Sequence, residues 1–212
     1  MEDKKINEKE SLEIITLMIE GTKQRLNLGD GNLLLVWGYT CVIVTALVTI
    51  ALLITHHHAS NWLWFLIWIV GGTVTARMEQ NKAKRQTVRT YVDRITNGLW
   101  SIVGFSAIAA TFICLALMLF WAKDCWSLLL FFGLFVVGMA VAIQGVIIKE
   151  KSLIFGGTIG ILSGLIIGAC IISRTPLCLE WSMPLIAVSF TAMFIVPGHI
   201  INHKAKHLCS KS

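Results

Sequence analysis

Three consecutive histidines, His56 to His58, are the residues of this chain best suited to binding a metal ion. Imidazole is a common ligand of zinc and copper, and Asp124, Cys125, Cys178 and Glu180 fall on the same side of the predicted membrane spans. Consecutive side chains cannot all face one ion, however, and no predicted span supplies a second, ordered pair of ligands. We therefore expect a polar loop and no metal site, with metal binding by His56 to His58 as the alternative.

Cys125 and Cys178 are the second candidate for chemistry. They are the only two of the six cysteines that the predicted topology places at the surface opposite the basic loops, Cys125 at the first residue of a span and Cys178 in a loop. In an oxidising compartment they could form a disulfide between two loops, but the sequence leaves open whether they come close enough. No nucleophile elbow, Gly-rich phosphate loop or metalloprotease motif is present. The sequence therefore predicts neither an enzyme nor a cofactor.

Polar side chains are rare inside the predicted spans. His199 is the only one of the His, Asp, Glu, Lys and Arg residues that lies within a span, and Gln144 is the most polar of the other side chains. Ionisable groups inside a membrane commonly mark ion or proton pathways, so their near absence disfavours ion-coupled transport. For Gln144 we expect a hydrogen bond between helices, and Pro197 with Gly198 is expected to loosen or end the last span.

The elements that carry these residues are six stretches without any Asp, Glu, Lys or Arg. With 56% hydrophobic and 14% charged residues, the chain has too little polar surface for a soluble domain. A span needs about 20 apolar residues, so we predict an all-α membrane protein. The six spans lie at 33–54, 59–76, 98–122, 125–148, 152–173 and 181–202, between a segment 1–32 and a tail 203–212.

The distribution of Lys and Arg orients the spans. Sixteen of the 18 basic residues lie in alternate connections, together with both termini. Because basic residues resist translocation, we expect both termini in the cytoplasm and the protein in a bacterial cytoplasmic membrane. The connection between spans 2 and 3 is also a candidate for contact with anionic lipid headgroups, through Arg77, Lys82, Lys84, Arg85 and Arg89.

Two further helices are predicted on the cytoplasmic side. Asn7 and Glu10 form a candidate capping box, and the residues that follow place one apolar face on an amphipathic helix within 1–32. Such a helix lies along the membrane surface or docks a protein partner. The connection 77–97 contains no Gly or Pro, so we expect span 2 to continue as a helix and to turn near Asn97 and Gly98.

Glycines recur at similar places in the spans. The recurrence near the inner ends of the spans predicts three tandem helical hairpins, although Gly is frequent in membrane helices in general. Small residues allow helix backbones to approach closely, which replaces the hydrophobic drive that is missing in lipid. We therefore assign helix packing to Gly38, Gly104, Gly156, Gly160, Gly164 and Gly168.

The chain contains four short motifs that resemble those of a known group of proteins. They are SLEII at Ser11–Ile15, LVWGY at Leu35–Tyr39, TYVDRI at Thr90–Ile95 and IVPGH at Ile195–His199. The chain resembles a group of bacterial six-span inner-membrane proteins that has no assigned activity. The resemblance implies a bacterial cytoplasmic membrane and transfers no function.

Two functions from different classes follow from the sequence. The first is a non-enzymatic membrane component whose cytoplasmic helices contact a partner protein or lipid, alone or as a homo-oligomer. The alternative is a small permease or channel for a neutral or apolar compound. A wide cavity within the bundle would favour the alternative. A membrane enzyme is disfavoured because no set of titratable residues converges, and the net charge of +6 is explained by loop orientation without any nucleic-acid partner.

Overall fold

The structure is a computed structural model that describes residues 30–85, 91–121 and 125–209, and these residues form helices and no strands. Six helical stretches are long and apolar enough to cross a membrane, so the chain is a multi-pass membrane protein. The helices are α1 (Asp30–Thr55), a 3-10 helix (His58–Phe65), α2 (Leu66–Arg85), α3 (Tyr91–Trp121), α4 (Trp126–Ile148), α5 (Lys151–Ile172), α6 (Leu179–Phe190), a π-helical turn (Thr191–Ile195) and α7 (Val196–Cys209).

Most helices extend beyond the charge-free stretches that predicted them. α2 continues past Arg77 to Arg85, which confirms that span 2 continues as a helix into the connection that follows it. The turn expected near Asn97 and Gly98 is wrong, because α3 begins at Tyr91 and runs through both residues. A single glycine in a helix interior costs only about 1 kcal/mol, which the rest of a 31-residue helix outweighs.

Four spans form a packed core: α1, α4, α5 and the sixth span, which consists of α6, the π-helical turn and α7. The closest pair is α4 with α5. A methyl group on Gly157 would lie 2.5 Å from the backbone N of Ala142, and one on Gly138 would lie 2.8 Å from the backbone N of Ile161. Glycine at both positions therefore lets the two backbones approach as closely as they do.

The basic end of the bundle is the end where α1 begins and α7 finishes, and it carries Arg94, Lys149 and Lys204. Here α7 is joined to the start of α5 by an ion pair, with Lys204 Nζ 2.7 Å from Glu150 Oε1. The opposite end carries His56–His58 and is called the histidine end. Tyr39 Oη lies 3.0 Å from His199 Nε2, which joins α1 to α7 nearer the basic end.

The sixth span does not end at Pro197. Pro197 has no backbone N–H, and in a regular α-helix its ring would clash with the carbonyl one turn earlier. The π-helical turn lies directly before it, and Val196 N–H bonds to Thr191 O five residues back. This wider turn absorbs the proline, and the helix continues to Cys209. Of the two expected effects, Pro197 loosens the helix locally, and the expected stop is wrong.

Two spans are arms attached to the core. The first arm, the 3-10 helix with α2, packs on α1, and the second arm, α3, packs on α4. We compare the most apolar stretch of each span. Only 6% of its residues are buried in the first arm and 17% in the second arm, whereas 44% are buried in the sixth span. Within the described residues the helices α2 and α3 are not packed against each other. The arms therefore flank a space beside the core.

Candidate functional site

A cavity of about 700 Å³ lies between the two arms and the core. Its wall includes residues of α1, α2, α3, α4 and the sixth span, while none of its described residues belongs to α5. This volume lies within the range of about 300–1,000 Å³ that is typical of small-molecule sites. The cavity is therefore large enough to hold a small-molecule ligand.

Most of the wall is apolar and aromatic. Trp62, Phe65 and Trp126 form a cluster at the histidine end, with ring centroids 5.5–5.9 Å apart. Because Trp62 and Phe65 belong to the first arm and Trp126 begins α4, this cluster joins the arm to the core at that end. Nine aromatic side chains line the cavity: Trp37, Trp64, Phe65, Trp68, Trp100, Trp126, Phe132, Phe190 and Phe194.

Most polar side chains of the wall lie in the half of the cavity nearer the basic end; Thr111, farther along α3, is the exception in the described wall. Glu79 on α2 and Asp93 on α3 are the only acidic or basic side chains in the described wall. Glu79 lies four residues after Thr75, so the two share one face of α2. The uncharged polar residues of the wall are Thr75, Thr96, Asn97, Ser101, Thr111 and Gln144.

Two indole hydrogen bonds hold the arms beside the cavity. Trp37 Nε1 on α1 donates to Thr75 Oγ1 on α2 at 3.0 Å, and Trp100 Nε1 on α3 donates to Gln144 Oε1 on α4 at 3.0 Å. Gln144 is 9% exposed, and its amide N–H groups donate to no acceptor among the described residues. The helix-to-helix hydrogen bond expected for Gln144 is present, and the amide keeps unused donors in the cavity wall.

Glycine shapes the cavity as well as the core. Gly104 on α3 and Gly133 on α4 both line the cavity, and a methyl group on either would meet nothing within 4 Å. The assignment of Gly104 to helix packing is therefore corrected, because Gly104 faces open space and not a neighbouring helix.

The other five glycines assigned to packing do lie against neighbouring helices. A methyl group on Gly38 would lie 2.7 Å from Ile195 Cγ1, one on Gly164 2.7 Å from Phe135 Cβ, and one on Gly168 3.0 Å from Phe131 Cε2. Gly156 faces Ala192, and Gly160 faces Met193 of the π-helical turn. The face of α5 that carries these glycines is thus turned to α4 and the sixth span.

The structure gives Cys125 and Cys178, the pair whose disulfide the sequence leaves open, as free thiols, the first buried and the second exposed. The neighbour of Cys125 is Cys114 of α3, whose thiol is close enough for a hydrogen bond. Cys125 precedes α4 and lies against the second arm, and a disulfide with Cys178 stays a prediction. Sequence reasoning missed Cys114 because it counted that residue as a span interior.

The histidines do not assemble a metal centre in the described part of the chain, where no three His, Cys, Asp or Glu side chains are close enough to hold an ion. His57 Nδ1 instead accepts a hydrogen bond from Ala59 N–H at 3.1 Å and caps the 3-10 helix. His203 and His207 on α7 lie with Nε2 atoms 3.3 Å apart. Two ligands are fewer than the three or four protein ligands of zinc sites.

The candidate lipid contacts fall largely outside the described side chains. Arg77 is exposed on α2, in agreement with a position open to lipid or water. The side chains of Lys82, Lys84 and Arg85, and the whole of Arg89, lie outside the described residues. So does the amphipathic helix predicted within 1–32, since the structure describes only residues 30–32 of that segment, at the start of α1.

Sequence reasoning missed the cavity residues Glu79 and Asp93, to which it gave no role within the connection 77–97. A signal was present. Asp93, Asn97 and Trp100 are spaced by four and three residues and so share one face of α3, which is the face that lines the cavity.

Fold and site together define a six-span helical membrane protein with an aromatic cavity between two loosely packed arms. Comparison with protein-family models, curated proteins and solved structures gives no match to this chain. The resemblance to bacterial inner-membrane proteins stays a prediction.

Proposed function

We propose that the protein is a small permease for a compound with a largely apolar body, and that the cavity is its binding chamber. The observation that carries this proposal is the cavity itself, because a wide space within the bundle is the feature that favours a permease over a purely structural membrane component. Its volume of about 700 Å³ and its aromatic wall suit a small organic molecule.

The arms supply the movement that transport requires. They are the least buried spans, and elements with few buried contacts open at the lowest free energy. At the histidine end, the first arm is joined to the core by the ring contacts of Trp62 and Phe65 with Trp126. Separation of these rings would open that end of the cavity, whereas the core, with its close contact of α4 and α5, would remain fixed.

Filling the cavity tests the proposal. Gly104→Leu and Gly133→Leu place side chains in the cavity from positions where the first added carbon meets nothing within 4 Å, so they occupy the chamber. The control is Gly72→Leu, which also meets nothing within 4 Å but lies on an exposed face of α2 outside the cavity wall.

The readout is photolabelling by an alkyl alcohol that carries a diazirine, with the protein in lipid nanodiscs and the labelled residues mapped by mass spectrometry. The wild type and Gly72→Leu are expected to take label on cavity residues, and the combined Gly104→Leu and Gly133→Leu variant is expected to lose most of it. Flux of the same alcohol into protein-containing vesicles should fall in parallel. Unchanged labelling in the filled variant would remove the basis for a binding chamber.

The proposal includes an orientation. We place the basic end in the cytoplasm of a bacterium and the histidine end outside, because 16 of 18 basic residues lie in the connections on one side. A cysteine substituted for His57 in a chain without other cysteines should react with a membrane-impermeant maleimide in intact cells. A cysteine substituted for Arg94 should react only after lysis, and early reaction there would reverse the orientation.

Three tandem hairpins are part of the same proposal. The indole bond from Trp37 to Thr75 joins the two spans of the first hairpin, and the bond from Trp100 to Gln144 joins the two spans of the second. This recurrence supports a repeated unit.

The other predicted role, a component whose cytoplasmic helices contact a partner protein or lipid, stays a prediction. The segments that would carry it, 1–29 and 86–90, lie outside the described residues.

A further inference from the structure

The charges that the described wall carries have one sign. The chain carries 18 Lys and Arg against 12 Asp and Glu, yet the only acidic or basic side chains in the described wall are Glu79 and Asp93. Arg77 and Arg94, which lie close to them in sequence, are both exposed and outside this wall. Among the described residues, the charged groups that line the cavity near the basic end are therefore carboxylates.

The cavity is also divided along its length. Glu79 lies 13 residues after Leu66 on α2, which at a rise of about 1.5 Å per residue separates them by roughly 20 Å. The carboxylates thus lie at one end, and the aromatic cluster that contains Phe65 lies at the other. A molecule that fits this arrangement has a head at the basic end and an apolar body that extends toward the histidine end.

Gln144 adds a polar point to this half of the wall. Its amide oxygen accepts the bond from Trp100 and keeps a second lone pair, to which the N–H of a protonated amine head can donate. A hydrocarbon chain has no such donor.

We propose that the ligand is a cationic amphiphile, namely a molecule with an apolar chain or ring system and a protonated or quaternary amine head that pairs with Glu79. This proposal rests on the proposed function, since it names the class of compound that the chamber takes. Asp93 takes part in another interaction of its own, so Glu79 is the carboxylate assigned to the head. Cation–π contacts with the tryptophans of the wall add to the recognition of the amine.

The test uses three diazirine probes with the same alkyl tail and different heads: trimethylammonium, hydroxyl and sulfate. The protein is held in nanodiscs of phosphatidylcholine, and labelled residues are mapped by mass spectrometry. The trimethylammonium probe is expected to label the cavity at roughly five- to tenfold lower concentration than the hydroxyl probe, the scale of a partly screened ion pair. The sulfate probe should label it least.

The variant Glu79→Gln keeps the shape of the side chain and removes its charge. It should abolish the advantage of the trimethylammonium probe and leave labelling by the hydroxyl probe unchanged. The control is Glu180→Gln, which removes one negative charge at the exposed histidine end, outside the cavity wall, and should change neither probe. If Glu79→Gln fails to fold, competition between unlabelled alkyltrimethylammonium and alkyl sulfate on the wild type measures the same preference.

The outcomes separate the two proposals. Equal labelling of the cavity by the trimethylammonium and hydroxyl probes, or a preference for the sulfate probe, overturns the cationic ligand and leaves the chamber standing. A cationic preference that survives Glu79→Gln removes that residue from the proposal and so overturns it as stated. Failure of all three probes to label the cavity overturns the proposed function as well.

Discussion

Gly157→Ala should separate α4 from α5, and its cost can be worked out from the structure. The added methyl group would lie 2.5 Å from the backbone N of Ala142 and 2.6 Å from the backbone O of Gly138. Ordinary contact needs about 3.5 Å, so one helix must move by roughly 1 Å, and a gap of that size forfeits up to half of each contact of about 0.1–0.2 kcal/mol. Over roughly 40 contacts around the site the loss is about 2–3 kcal/mol. The better helix propensity of Ala returns up to about 1 kcal/mol.

The net expectation is a destabilisation of about 1–2 kcal/mol, within the usual range for overpacking. It is measured by circular dichroism as unfolding in mixed micelles with increasing sodium dodecyl sulfate. Gly72→Ala is the matched control, since its methyl group would meet nothing within 4 Å, and it should be neutral or slightly stabilising. A Gly157→Ala protein as stable as Gly72→Ala would show that the contact of α4 and α5 is not limited by backbone approach.

Two further predictions concern polar contacts between helices. Lys204→Met removes the cation that pairs with the carboxylate of Glu150, a residue that is only 7% exposed. Because Lys204 itself is half exposed, we expect the free energy of unfolding to fall by only about 1 kcal/mol. Lys206→Met, at an exposed position of the same helix, should cost nothing measurable, and equal costs would contradict the role of the pair. Trp100→Phe should lower the free energy of unfolding by about 0.6–1.7 kcal/mol, because it removes the bond to Gln144. Once Gln144→Leu has removed the acceptor, Trp100→Phe removes no bond, so the double variant should lose less than the sum of the two single losses, by about the energy of that bond. Strict additivity in this cycle would argue against the bond.

The spans could be predicted from the sequence, and the cavity could not. Charges are excluded from hydrocarbon, so the gaps between them mark each span within a few residues. A side chain that faces lipid and one that faces a cavity are both apolar, however, and nothing in the pattern separates them. Gly104 and Gly160 show the difficulty, because both sit within apolar spans, yet only Gly160 lies against a neighbouring helix. The extent of α3 past Gly98 was missed for a related reason, since local turn propensity is weaker than the continuity of a long helix.

Membrane solvation also explains why such a cavity can persist. In water, apolar arms would collapse onto the core to bury their surface, but lipid tails solvate them as well as another helix does, so hydrophobic drive does not close the space. What holds each arm is then a small number of directional contacts, chiefly the Trp37 bond to Thr75 for the first and the Trp100 bond to Gln144 for the second. Both bonds lie on the wall of the cavity, so a ligand head that competes for Gln144 or Thr75 would loosen the arms from where it binds. In the proposed permease, binding and opening would be coupled in this way, and the carboxylate of Glu79, one turn beyond Thr75, would place the ligand head where that competition occurs.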